Sequence, residues 1–280
     1  MEQKTKTRWY IWVGAGLLTV ALLLTVPVML PHTGEDTPSS ETSQSTASTV
    51  QSTLPEPSVN VFSPMDFAYA GDYLTCTTDK SILGLDVSTH QKEIDWEQVK
   101  AAGFEFVMIR LAYRGSIEGQ LSADEWAQTY YRGAREAGLK VGGYIFTQAI
   151  TVEEAIADAA YVLETVKDWE VQMPLVYDWE VIDESYRNGN VDARLLTDMS
   201  KAFCETVEAA GYDAMVYFNP SQSRKQMYLE ELTDYGFWLA MYSDEMSYEY
   251  KVDMWQYTCE GSVPGISGNV DINLYFPYGE

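Results

Sequence analysis

Asp178 and Glu180 stand two residues apart in the run LVYDWE, and this is the spacing in the chain most suited to chemistry. In an extended strand, residues i and i+2 project to the same face, with Cα atoms about 6.5 Å apart. Two carboxyls held that close and partly buried repel each other, so at least one keeps its proton towards neutral pH. A carboxylic acid still protonated there can donate to a glycosidic oxygen. In so acidic a chain the same spacing also fits two solvated acids at a strand end. What separates the two readings is whether other elements bring further carboxylates to the same place.

The elements that must position the pair follow from periodicity. Short apolar runs at 82–88, 104–112, 140–146, 173–180, 212–218 and 236–242 alternate with amphipathic helical stretches, and runs at 253–257 and 269–273 follow closely. Alternation of this kind predicts parallel strands with helical crossovers. Ser122 with Glu125, and Thr151 with Glu154, have capping-box spacing. Ile156, Ala159, Val162, Leu163 and Val166 form one helical face, and Gly138 and Gly211 end their helices. The expected fold is α/β: an incomplete TIM-like (β/α) barrel of eight strands and about five helices, with no helix between the last two strands.

Barrels of this type carry chemistry at the C-terminal ends of their strands. Those ends hold Asp86, Arg110, Tyr144, Asp178 with Glu180, Tyr217, Tyr242, Gln256 and Asp271. If the last strand closes beside the first, Asp271 comes near Asp86, and four carboxylates converge. Tyr144, Trp179, Tyr217, Trp238, Tyr242 and Trp255 are expected at or near the same rim. There aromatic faces stack on sugar rings and Tyr hydroxyls bond sugar hydroxyls.

Composition removes other classes. With His32 and His90 as the only histidines, a Ser-His-Asp triad or a multi-histidine metal site has almost no raw material, so neither metal nor cofactor is expected. Cys76, Cys204 and Cys259 show no C-x-x-C spacing, which excludes a zinc ribbon; a Cys76–Cys259 disulfide is a minor alternative. A net charge of −24 over 280 residues repels phosphate backbones and argues against nucleic acid.

Residues 9–30 carry no charge, follow Lys4, Lys6 and Arg8, and precede Glu35 and Asp36. At about 1.5 Å per residue they span the roughly 30 Å hydrocarbon core as one transmembrane helix. The positive-inside rule puts residues 1–8 in the cytoplasm and the rest outside; a cleaved signal peptide is the competing reading. Residues 31–58, rich in Ser, Thr and Pro, read as a disordered tether with a coil reach of roughly 30 Å. Residues 59–81 read as a pre-domain segment whose aromatics pack onto the barrel of 82–280.

Residues 84–96 (GLDVSTHQKEIDW), 174–180 (PLVYDWE), 237–243 (FWLAMYS) and 255–273 (WQYTCEGSVPGISGNVDIN) resemble, in order, the signatures of the glycoside hydrolase family 25 muramidases. The resemblance covers about residues 82–276. It implies hydrolysis of the β-1,4 bond between N-acetylmuramic acid and N-acetylglucosamine in peptidoglycan. It further implies Glu180 as general acid/base, Asp178 as its catalytic partner, and Asp86 and Asp271 in the same pocket. Tyr144, Tyr217, Trp238 and Gln256 match positions that shape the saccharide site, and Tyr242 lies beside them. Lys92 stands where the family often has Gly, and Ile145 where it often has His. The alternatives are a tethered wall-binding scaffold without turnover, and a glycosidase for chitin-like N-acetylated glycans. Anchor and tether suit local wall remodelling, with a cell-envelope assembly as a candidate partner.

Overall fold

The structure, a computed structural model, describes residues 56–278. The transmembrane helix expected at 9–30 and nearly all of the tether lie outside the described residues. Among those described, no helix is long and apolar enough to cross a membrane.

The described chain opens with a hairpin, β1 (Phe67–Ala70) and β2 (Tyr73–Cys76), whose turn uses Gly71 at φ 70°. The barrel strands follow: β3 (Ile82–Val87), β4 (Phe106–Arg114), β6 (Lys140–Thr147), β7 (Leu175–Trp179), β8 (Ala214–Phe218), β9 (Gly236–Ala240), β10 (Met254–Gly261) and β11 (Val270–Tyr275). A short β5 (Leu121–Ala123) folds back on β4. Pairing of β3 with both β4 and β11 closes the ring of eight. Five helices accompany it: α1 (Trp96–Ala101), α2 (Ala127–Glu136), α3 (Val152–Val166), α4 (Ala193–Ala209) and α5 (Pro220–Lys225). Gly138 and Gly211, at φ 78° and 89°, stop α2 and α4 as expected.

Strand alternation sorts the apolar side chains into two layers. Ile82, Phe106, Met108, Val176, Met215 and Met254 fill the barrel interior, while Val107, Ile109, Ile145, Tyr177, Val216 and Leu239 face the helices. Ile145, in place of the family's histidine, is thus a packing residue turned away from Tyr144. Gly84 makes room for an interior ring, since a Cβ there would lie 2.2 Å from the Phe106 side chain.

Three expectations are corrected. Link 262–269 is too short for a crossover, so β11 runs antiparallel to β10 and β3 rather than parallel. Ser122 does not cap a helix: it lies in β5 opposite Tyr113, and α2 begins at Ala127. Thr151 does cap α3, accepting from Glu154 N, but Ile156 on that helix is exposed, and Ala155 and Asp158 take the inward positions. Asp158 is tolerated there because Arg114 and the Thr147 hydroxyl both donate to it at 2.6 Å.

No helix covers β10 and β11, and the hairpin does that work. Phe67 packs edge-on against Trp255 at 5.0 Å, Phe62 lies 4.9 Å from Phe276, and Tyr73 packs edge-on against Phe104. All three cysteines are free, with Cys76 buried and Cys259 exposed.

Lys92 is the one non-glycine residue at positive φ (55°) among those described. Its carbonyl accepts from the Tyr130 hydroxyl at 2.7 Å, which holds the turn. A left-handed lysine is strained by about 1 kcal/mol. Lys92→Gly is therefore expected to stabilise the domain by up to about 1 kcal/mol, read as a rise in the urea midpoint.

Candidate active site

Each strand delivers its site residue by the same alternation that builds the interior layer. Asp86 continues the inward row of Ile82 and Gly84, Arg110 that of Phe106 and Met108, and Asp178 and Glu180 that of Val176. Asp271 and Asn273 continue the row of Tyr275 from the other direction. Because β11 is antiparallel, Asp271 reaches the mouth from the start of its strand, and it pairs directly across from Asp86. All nine residues expected at the site, Asp86, Tyr144, Asp178, Glu180, Tyr217, Trp238, Tyr242, Gln256 and Asp271, line one cleft of about 200 Å3. Ser88, His90, Arg110 and Phe146 line it too.

Asp86 is nearly fully buried, and one of its oxygens accepts from both Gln256 Nε2 and Asn273 Nδ2 at 2.8 Å. Gln256 can offer that amide because its carbonyl oxygen accepts from the hydroxyls of Tyr217 (3.1 Å) and Tyr242 (3.2 Å). Asn273 is oriented likewise by Trp238 Nε1, at 2.8 Å from its Oδ1. The chain of donors fixes which amide atom faces Asp86. Trp238 itself is buried, with Tyr144 and Tyr217 edge-on to it at 5.9 and 5.1 Å, so it forms the floor of the cleft.

Burial raises all four acids. It is the largest cause for Asp86, pushed up to about 6 although the bonds from Asn273 and Gln256 oppose the shift. Asp271 is pushed up to about 8 by burial and then by the charges of Asp86 and Glu180. Glu180, half-buried at the mouth, is pushed up to about 7 by burial, against its hydrogen bond with Asp178 and with the charge of Asp86. Asp178 is raised well above the usual range by burial, then by Glu180 and Asp86. One of its oxygens has no hydrogen-bond partner among the described residues. Both carboxyls of the pair are therefore biased towards holding a proton.

Side chains from distant segments hold the end of β7. The Glu180 carbonyl accepts from Gln148 Nε2 (2.6 Å) and Asn188 Nδ2 (2.8 Å), and the Trp179 carbonyl from Gln222 Nε2 (2.7 Å). These three residues, with Asn273, are absent from the expected site, whereas Arg110 stands at the mouth where its strand end placed it. Arg110 binds Asp124 through Nε and Nη2, both at 2.9 Å, and opposes the proton uptake of Asp178. Asn273 was legible from its i+2 relation to Asp271. Gln148, Asn188 and Gln222 carry no local signal. Trp179 and Trp255, expected at the rim, point outwards into the helix-facing core and donate to the carbonyls of Ala149 and Met241.

The model of the family described as "Glycosyl hydrolases family 25" matches residues 85–266. The chain belongs to family 25 of the glycosyl hydrolases. As a family 25 member it is a glycoside hydrolase. It is 26% identical to the autolytic lysozyme of Clostridium acetobutylicum over 193 residues, 69% of this chain and 55% of that protein. The modular autolysin LytC of Streptococcus pneumoniae superposes with a TM-score of 0.62 at 25% identity, over 70% of this chain. The chain spans about half of LytC, 47% of its length. A family 25 glycosyl hydrolase of Bacillus anthracis, 22% identical, shares the fold with a TM-score of 0.59 over 76% of this chain and 95% of its own.

Within this family 25 site, Asn273 has a measurable role. Asn273→Ala leaves both Trp238 Nε1 and Asp86 short of a partner. It is expected to cost about 1–3 kcal/mol of stability and to lower kcat/KM by about tenfold, checked by urea unfolding and steady-state hydrolysis.

Proposed function

We propose that the barrel hydrolyses the β-1,4 bond between N-acetylmuramic acid and N-acetylglucosamine in bacterial peptidoglycan. The observation that carries this reading is the convergence of Asp178 and Glu180 with Asp86 and Asp271 in one cleft at the mouth of the barrel. LytC, the relative with a similar fold, has been described in complex with a synthetic peptidoglycan ligand, which supports the substrate class.

In the proposed reaction Glu180, at the mouth, is protonated and gives its proton to the glycosidic oxygen as the C1–O bond breaks. Asp178, now ionised, faces the positive charge that develops at C1. Retaining enzymes hold their two carboxyls about 5–5.5 Å apart and inverting ones about 6.5–9.5 Å. The proposed course is retention at C1, with Asp178, two residues before Glu180 on the same strand end, acting as nucleophile or orienting the substrate's own acetamido group. Glu180 takes the proton back from the water that completes the cycle. Asp86, Asp271, Tyr144, Tyr217, Tyr242 and Gln256 bind the sugar on either side of the broken bond. Purified peptidoglycan compared with chitin oligosaccharides tests the substrate class. Cleavage of the first and not the second is expected, and the reverse preference refutes it.

We also propose that residues 9–30 anchor the chain in the membrane with the barrel outside. The uncharged run and its basic flank support this. Detergent, and not high salt, should release the full chain from membranes; a fully secreted form in the medium contradicts the anchor.

A further inference from the structure

A second groove, of about 800 Å3, adjoins the catalytic cleft and shares Tyr242 with it. One wall is the β10–β11 end, with Thr258, Glu260 and Ser262; the other is the β1–β2 hairpin, which supplies Tyr69, Asp72 and Tyr73. The hairpin precedes residue 85, where the family match begins. Tyr69 and Tyr242 are 54% and 58% exposed, unusual for rings of that size, yet Tyr69 is not loose. Its hydroxyl donates to Asp244 at 2.7 Å, holding the ring against the groove, and the Tyr73 hydroxyl donates to the Ser262 carbonyl across it. No Lys, Arg or His lines the groove, while Asp72, Asp244 and Glu260 do.

We propose that this groove is a distal subsite for the glycan strand itself, occupied by sugars beyond those in the catalytic cleft. The proposal rests on the glycosidase reading above. Continuity through Tyr242 gives a polymer threaded through the cleft a path onto the hairpin. Exposed Tyr faces stack on pyranose rings, and carboxylates accept from sugar hydroxyls. The subsite would make the enzyme prefer long strands over short ones, through binding remote from the reacting bond.

The test uses the full chain in detergent and peptide-free glycan strands fractionated by length. Wild type should show kcat/KM on long strands about tenfold above that on a tetrasaccharide. Tyr69→Ala should bring the ratio close to one with the tetrasaccharide rate unchanged, and that rate also reports correct folding. Tyr69→Phe, which keeps the stacking face, should retain most of the preference. A flat length dependence in wild type, or a preference untouched by Tyr69→Ala, overturns the subsite. A Tyr69 effect that appears only when stem peptides are present also overturns it, in favour of a peptide site. Failure of wild type to cut any strand would instead refute the glycosidase reading on which the proposal rests.

Discussion

Glu180→Gln is expected to lower peptidoglycan hydrolysis by about a thousandfold while making the folded domain more stable at pH 8. The loss follows from removing the proton donor at the mouth without changing its shape. The gain follows from the same electrostatics. At pH 8 the wild-type carboxyl is ionised in a cleft it shares with Asp86 and Asp271, a state that burial and their charges disfavour. A neutral amide removes that repulsion. Discounted for the solvent that reaches the mouth, the gain is on the order of 1–2 kcal/mol, or a few degrees in Tm. The variant's backbone carbonyl at 180 keeps its bonds from Gln148 and Asn188, so the strand end stays in place. Steady-state rates and thermal melts of the two proteins check both halves. Activity within tenfold of wild type would remove Glu180 from the assigned role.

Stability and activity should both fall as pH rises through neutrality. Asp86 at about 6, Glu180 at about 7 and Asp271 at about 8 are all raised above their unfolded values, as is Asp178. Between pH 4 and 8 the folded state therefore binds more protons than the unfolded state. Stability contributed by these groups is fully present below about pH 4 and is lost as pH climbs through their folded values. Glu154, Glu231 and Glu249 are lowered by their arginine partners and act oppositely, so their contribution is lost only as pH falls below the ordinary carboxylate range. The expected stability maximum lies near pH 4–5, with a decline of a few kcal/mol, about 2–4, by pH 8. The rate profile should have its alkaline limb near pH 7, where Glu180 loses the proton that the leaving group needs. Urea unfolding and kcat/KM measured from pH 4 to 9 test the two curves together. Stability that rises between pH 5 and 8 would contradict the burial of the four acids.

The site was legible in the sequence to the extent that alternation along a strand fixes direction. Asp178 and Glu180 share a face because they are two apart, and Asp86 meets Asp271 because the ring must close. Trp179 and Trp255 were misplaced because nearness to a strand end was read without its face. Each lies between two inward residues and so points outwards, Trp179 towards the helices and Trp255 under the hairpin. Ser122 and Glu125 have the spacing of a capping box, but backbone pairing of β5 with β4 outweighs a local cap. Gln148, Asn188 and Gln222 were invisible for a different reason. They act on carbonyls of β7 from segments brought together only by the fold, and a single amide in a loop has no period to betray it.

Hydrolysis of the muramyl bond leaves a diagnostic reducing end. Purified peptidoglycan is digested with the full chain, the new ends are reduced with borohydride, and the reduced sugar is identified by mass spectrometry. Reduced N-acetylmuramic acid, absent from the Glu180→Gln digest, is the predicted result. Reduced N-acetylglucosamine, or no new reducing end with wild-type enzyme, would contradict it.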